Sequence, residues 1–236
     1  MIGSVHLADV GAFHALGQLI RTVEPGTVPG LRNANLAIAA PLSKSRVAKP
    51  QFGRLALIAF WDGEVDLDRF VHDHPLAARF ADGWQVRLEP LRMHGSWPGV
   101  PQDISSSRTV EYHGPSVVLT LGRLRISQAA RFLRTSAKAE GAVVDAPGVI
   151  WATGLARPPF VSTCSLWESS KALATYAYGH DRPAHSEAID ADADKPFHHQ
   201  SAFIRFRPYG ATGHLDGRNP LPEAALTEIT LTDTAD

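Results

Sequence analysis

Residues 55–61, LALIAFW, run without a polar break into a tryptophan, and residues 160–167, FVSTCSLW, end the same way. Each reads as a buried strand. After both comes a helical pattern and then a His-Asp-x-Pro motif, His72-Asp73-His74-Pro75 in one place and His180-Asp181-Arg182-Pro183 in the other. A further strand follows each motif, over 84–90 and 202–208. The tails agree again: Pro90, Gly95, Trp97 and Gly99 recur as Pro208, Gly213, Leu215 and Gly217 with identical spacing. An ordered set of matches marks an internal repeat, which has to be settled before any fold is assigned.

The fronts of the two halves correspond as well. The first half offers a strand over 5–9, a helix over 13–20 with Phe13, Leu16, Leu19 and Ile20 on one face, and a strand over 36–40. The second offers a strand over 117–124, a helix over 129–137 with Phe132 and Leu133 inward, and a strand over 149–152. Each half therefore reads β-α-β-β-α-β, the ferredoxin-like order. The polar stretch 102–108 divides them into 1–108 and 109–236. Stretches 26–32 and 142–147 read as loops, and 232–236 as a frayed tail. An isolated half leaves one sheet face bare. The expected fold is α+β, with two tandem ferredoxin-like halves packed sheet to sheet as a pseudo-dimeric barrel.

Composition narrows the function. With 236 residues, 44% hydrophobic, 20% charged and a net charge of −1, the chain has no electrostatic case for nucleic acid. Cys164 is the only cysteine, which excludes an intrachain disulfide and a cysteine-based metal cluster; mid-strand, it reads as an inert core thiol. No apolar run reaches the ~20 residues of a membrane span, and no basic-then-apolar leader opens the sequence, so the expected location is the cytoplasm. Glycine-rich nucleotide loops and a Gly-x-Ser-x-Gly elbow are missing from the sequence. The acidic run Asp190, Asp192, Asp194 reads as a solvated helix end rather than a calcium loop.

A repeat supplies its own comparison: residues in both copies point to structure, residues in one copy to function. Trp61 and Trp167 are shared and read as core, Pro75 and Pro183 as openers of a helical turn, and His72 and His180 as caps on helix carbonyls. His185 stands where the first copy has Ala77. In the first turn of a short helix over 183–191, the dipole keeps its imidazole neutral, as an iron or other metal ligand must be. The alternative is an exposed or internally satisfied histidine. His94 and His214 lie in the two glycine-flanked segments, as polar groups over a pocket or as solvated residues. His198 and His199 point to opposite faces of a strand start and cannot chelate one metal together.

Trp167, Ala177-Tyr178, His185-Ser186-Glu187-Ala188-Ile189, Phe203-Ile204-Arg205-Phe206 and Gly217-Arg218-Asn219-Pro220-Leu221 together resemble the spheroidene monooxygenase family, as do Gly95-Ser96-Trp97-Pro98-Gly99 and the segment 126–133. The resemblance implies a b-type heme with His185 as the iron ligand and His180, Trp167 and Phe203 beside the cofactor. It also implies His94, Arg205 and Arg218 on the opposite side, orienting O2 or peroxide. Two departures stand out: Leu215 replaces a tryptophan of the family's second Gly-x-Trp-x-Gly motif, and His94 stands where an arginine is expected.

The leading expectation is a heme-dependent monooxygenase that oxidises an apolar small molecule, a carotenoid or another metabolite, held in a cavity between the two sheets, with an external electron donor. Three alternatives remain open: a heme dehydratase or peroxidase with His94 as acid–base, a non-enzymatic binder of heme or an apolar ligand, and a cofactor-free monooxygenase. The assembly is read as a homodimer, with a monomeric barrel as the alternative.

Overall fold

Strand residues alternate between two faces, so the burial pattern shows what lies on each side of every strand. The computed structural model describes residues 1–21, 23–42, 51–178, 196–221 and 226. The first elements are β1 (Ile2–Asp9), α1 (Ala12–Leu19), β2 (Leu31–Pro41), β3 (Arg54–Trp61), α2 (Glu64–Asp73) and β4 (Trp84–Gly95). They are followed by β5 (Ser116–Leu124), α3 (Ala129–Val144), β6 (Val149–Arg157), β7 (Phe160–Trp167), α4 (Ser170–Tyr178) and β8 (His198–Gly213). Hydrogen bonding orders the strands β2-β3-β1-β4 in one sheet and β6-β7-β5-β8 in the other. Antiparallel pairing of β2 with β6 and of β4 with β8 closes the two into one eight-stranded barrel with no free edge.

The inward residues fill this barrel. Val5, Leu7, Ile58, Phe60, Trp84, Val86, Leu119, Cys164, Leu166, Ile204 and Phe206 form one core drawn from both sheets, and Trp97 and Phe160 stack across one mouth with centroids 5.8 Å apart. Cys164 is fully enclosed, and burial pushes its thiol up to about 12. The expected cavity between the sheets is therefore corrected: inward side chains of both sheets meet there as one buried core.

Outside the first sheet, α2 and the 3-10 turn Ala77–Phe80 bury Leu67, Phe70 and Phe80 against Leu36, Leu55, Leu57 and Trp61. His6 is sealed in the same layer between Phe70 and Phe80, its Nε2 3.0 Å from Ser4 Oγ, and burial lowers its pKa to about 4. The helix expected at 13–20 forms over Ala12–Leu19 and packs through the buried Ala15 and the half-buried Leu19, while Phe13 and Ile20 are 94% and 87% exposed. Leu133 on α3 is likewise exposed rather than inward, and α3 continues through the stretch read as a loop at 142–144. His72 does not cap α2. Its ring is solvent-exposed near Asp73, and the final turn is closed by the His74 backbone N–H donating to Phe70 O.

Beyond β8 the chain is fastened by Arg54. Its guanidinium donates to both carboxylate oxygens of Asp9 and both of Asp216, at 2.6–3.1 Å. Asp216 holds a left-handed backbone conformation, φ 51°, in the tight turn joining Leu215 to Arg218.

Candidate functional site

The two sheets share a strand order, so each outward position in one has a counterpart in the other. Register decides the pairs: Leu36, Leu57, His6 and Gln85 form one outward row of the first sheet, matched in the second by Gly154, Thr163, Thr120 and Phe203. The adjoining row replaces Ile38, Leu55 and Ala8 with Ala156, Val161 and Gly122. Large apolar side chains have given way to glycine, alanine and threonine. Leu57 is 1% exposed and His6 2%, whereas Thr120, at the centre of its sheet, is exposed and Thr163 half-buried. A mid-strand residue open to solvent on a sheet flanked by helices marks a groove.

The upper end of the groove is closed by α4 and the end of α3. Val118, Ala146, Trp167, Leu173 and Tyr176 pack together there, with Phe203 against them. Trp167 is 1% exposed, its indole donates to Ser165 Oγ at 2.9 Å, and its ring lies 4.9 Å from Tyr176. It is the core residue its place in the repeat suggested, beside the groove. Phe203 is half-buried, and His94 pairs with it across β4 and β8, on the same outward face and exposed. His94 thus lies near the end of a strand rather than in a loop. One pair further along, Arg205 faces Arg92; both are buried on this same face, and Arg92 Nη2 donates to Ser106 O at 3.4 Å.

Four of the sequence-predicted residues therefore share the outer face of the barrel: Phe203, Arg205 and Trp167 on the second sheet and His94 just across the β4–β8 seam. Arg218 does not join them. It is exposed beyond the far end of β8, roughly 25 Å along the strand from Arg205 and apart from the other three. His214 lies at that far end too, exposed, its backbone N–H donating to Gly83 O. His180 and His185 lie outside the described residues, as do the short helix expected at 183–191, the acidic run and the tail. Among the described residues no cluster of three metal-ligating side chains forms.

The floor residues Thr120, Gly122, Gly154 and Thr163 were missed from the sequence. Their signal was present: aligning Trp61 with Trp167 and stepping back two residues at a time sets Ala59, Leu57 and Leu55 against Ser165, Thr163 and Val161. His198, one of the pair whose sequence reading was structural or exposed, packs against its neighbours. Its ring covers Gly122, where a Cβ would meet it at 2.5 Å, and it stands edge-on to Phe132 at 5.3 Å.

A separate cleft of about 620 Å³ lies at the lower end of β5 and β8. Its lining includes Arg123, His198, His199, Gln200, Ser201 and Ser96. The Arg123 guanidinium lies over the Trp97 ring, 5.6 Å from its centre.

Strand order and closure define the class: an α+β fold built on a closed, antiparallel eight-stranded barrel. Among known proteins, the chain is similar to spheroidene monooxygenases, being 25% identical over 182 residues to that of Cereibacter sphaeroides and 27% identical over 192 residues to that of Rhodobacter capsulatus. These matches cover 75% and 77% of the chain, but 56% of the first relative and 78% of the second, so the chain spans little more than half the length of the Cereibacter protein. Among solved structures, an aldoxime dehydratase in complex with butyraldoxime superposes with a TM-score of 0.48 at 8% identity, covering 88% of this chain and 79% of that one. No protein-family model matches the sequence. No helix among the described residues is long and apolar enough to cross a membrane.

Proposed function

We propose that the chain is a heme-dependent monooxygenase acting on an apolar small molecule, with the groove on the second sheet as its cofactor and substrate site. The observation that carries this reading is the emptied outer face, where Thr120 and Thr163 stand in place of His6 and Leu57. The similarity to spheroidene monooxygenases supports the reaction class.

The described residues fit a heme. Thr120 and Thr163 rise little above their strands and the half-buried Phe203 stands beside Thr120, while the His198 ring covers Gly122 at the lower end. A flat apolar macrocycle needs such a floor, which the leucines of the first sheet would obstruct. His185 is the proposed iron ligand on sequence grounds, because the first copy has alanine at its position. When bound, heme supplies oxygen activation, the chemistry that protein side chains lack.

The chain's own groups then have distinct tasks. The exposed His94 imidazole, at the groove edge beside Phe203, accepts or delivers a proton at a ring nitrogen. Arg205 and Arg92 place fixed positive charge under the same edge and orient electron-rich groups above it. The tandem reading, halves 1–108 and 109–236, assigns stability to the first outer face and chemistry to the second.

Titrating hemin into the purified wild type and into His185→Ala tests the proposal. A sharp Soret band saturating near one equivalent, and lost in the variant, is the expected result. A featureless wild-type titration rejects heme dependence; an unchanged Soret band in His185→Ala rejects the ligand.

A further inference from the structure

The helix α1 turns most of its apolar side chains away from the core. Its sequence, AFHALGQL, carries no Asp, Glu, Lys or Arg, whereas α2, α3 and α4 each carry at least one. It packs on β2 and β3 through Ala15 and Leu19. Phe13, Leu16, Gly17 and Ile20 are left exposed along its outer side, at the i, i+3, i+4, i+7 spacing of a helix-packing stripe. Phe52 extends the patch. The Val10 backbone N–H donates to Gly53 O at 2.8 Å and the Gly53 backbone lies against Gly11 and Ala12, which sets the exposed Phe52 next to the start of the helix. Phe13, Leu16, Ile20 and Phe52 together expose roughly 500 Å² of apolar surface, at about 200 Å² for a fully bare phenylalanine. An apolar patch of that size marks an interaction surface.

We infer that α1 pairs antiparallel with α1 of a second copy of this chain, about a two-fold axis lying between Leu16 and Gly17. Three observations select that occupant. An isologous interface sets every residue near its axis against itself, which excludes charge there, and α1 has none. The stripe is self-complementary: Leu16 enters the hollow over the second copy's Gly17, where nothing lies within 4 Å of a Cβ position, and Phe13 packs beside its Ile20. The area matches as well, since a stable interface buries about 800 Å² a side around an apolar core, and here the apolar patch is framed by His14, Gln18 and Arg21. A lipid surface fits less well, because an interfacial helix carries Lys or Arg on its polar face and α1 carries neither. The pairing gives the homodimer read from the sequence a location on the first sheet, and it is independent of the heme reading.

Sedimentation velocity of the full chain between about 1 and 100 µM reads the assembly. Wild type sediments as a dimer, at twice the mass of one chain. Phe13→Asp sets a charge against the second copy's apolar patch and sediments as a monomer with an unchanged circular dichroism spectrum, because the side chain it replaces is already in solvent. Gly17→Leu fills the hollow and weakens the dimer about tenfold or more, while the open space at that position keeps the fold intact. Gly17→Cys forms a covalent dimer with a short bismaleimide; Val65→Cys, exposed on α2, does not, and the buried Cys164 does not react. Wild type that stays monomeric throughout, a dimer that survives both Phe13→Asp and Gly17→Leu, or equal cross-linking at positions 17 and 65 overturns the inference. Monomeric wild type that floats with phosphatidylcholine vesicles, and loses them in Phe13→Asp, overturns it in favour of a lipid surface. Hemin titration of Phe13→Asp matches wild type, so this inference and the heme proposal fail separately.

Discussion

Filling the groove at its centre gives the most direct test of where the ligand lies. Thr120 is exposed in mid-strand, paired with Thr163 on one side and Phe203 on the other. In Thr120→Phe a phenyl ring covers the floor between those two neighbours. Phenylalanine suits a strand as well as threonine does, and an exposed position tolerates it, so stability changes by no more than about 0.5 kcal/mol. The ring withholds roughly 100 Å² of floor from a flat ligand. At ~25 cal/mol per Å² the loss is about 2.5 kcal/mol, or about 70-fold in affinity. Hemin titration at the Soret band, with urea unfolding as the check on folding, measures both quantities. Thr120→Val, which keeps the volume, binds hemin like wild type. Leu57→Ala, at a buried site on the first sheet, destabilises by about 2–5 kcal/mol yet leaves the affinity of the folded protein unchanged. A Thr120→Phe protein that folds normally and binds hemin within twofold of wild type refutes the placement of the ligand on this face.

Two stability predictions probe the frame that carries the groove. His6 is buried neutral, with a pKa of about 4 against 6.5 unfolded, so the unfolded chain binds the extra proton first as pH falls. Its contribution is complete above pH 6.5 and is lost progressively down to about pH 4, roughly 3 kcal/mol in all; urea unfolding at pH 7 and pH 4.5 shows the loss in wild type and a shallower dependence in His6→Leu. Arg54→Met removes the clamp between Asp9 and Asp216, and both carboxylates rehydrate, for a cost of about 2 kcal/mol. The Arg54 guanidinium holds the Asp216 carboxyl below the usual carboxylate range, so the wild-type advantage is present at neutral pH and fades as acid protonates the pair; unfolding of both proteins at pH 7 and pH 3 checks it.

Much of the frame was legible because repeats and alternation are local signals. The apolar run into Trp61, its echo at Trp167 and the Pro-Gly spacings located the strands and their order. The side of the barrel that holds the site was not legible, because pairing a fold with a function suggests an internal cavity and only packing shows the interior full. Phe13, Leu16 and Ile20 show the same limit: their spacing predicts a helix, which forms, but spacing does not say that Ala15 and Leu19 are the residues facing the sheet. Arg218 was grouped with Arg205 by motif, and only the length of β8 separates them.

The small residues of the second sheet raise the question of how a fold tolerates a bare central strand. Three features answer it. The barrel interior is shared, so Val117, Leu119 and Leu121 are buried on their inward side whether or not their outward neighbours are covered. Closure through β2–β6 and β4–β8 leaves no edge to fray, and the first sheet keeps its own leucine and phenylalanine layer beneath α2. Stability is thus supplied by the interior, by the first outer face and by the Val118–Trp167–Leu173–Tyr176 cluster at one end of the second, which leaves the middle of that face to hold threonine and an exposed histidine. Stabilising that face with leucines from the first sheet would close the groove. The residues least suited to a core are therefore the ones on which the proposed binding depends.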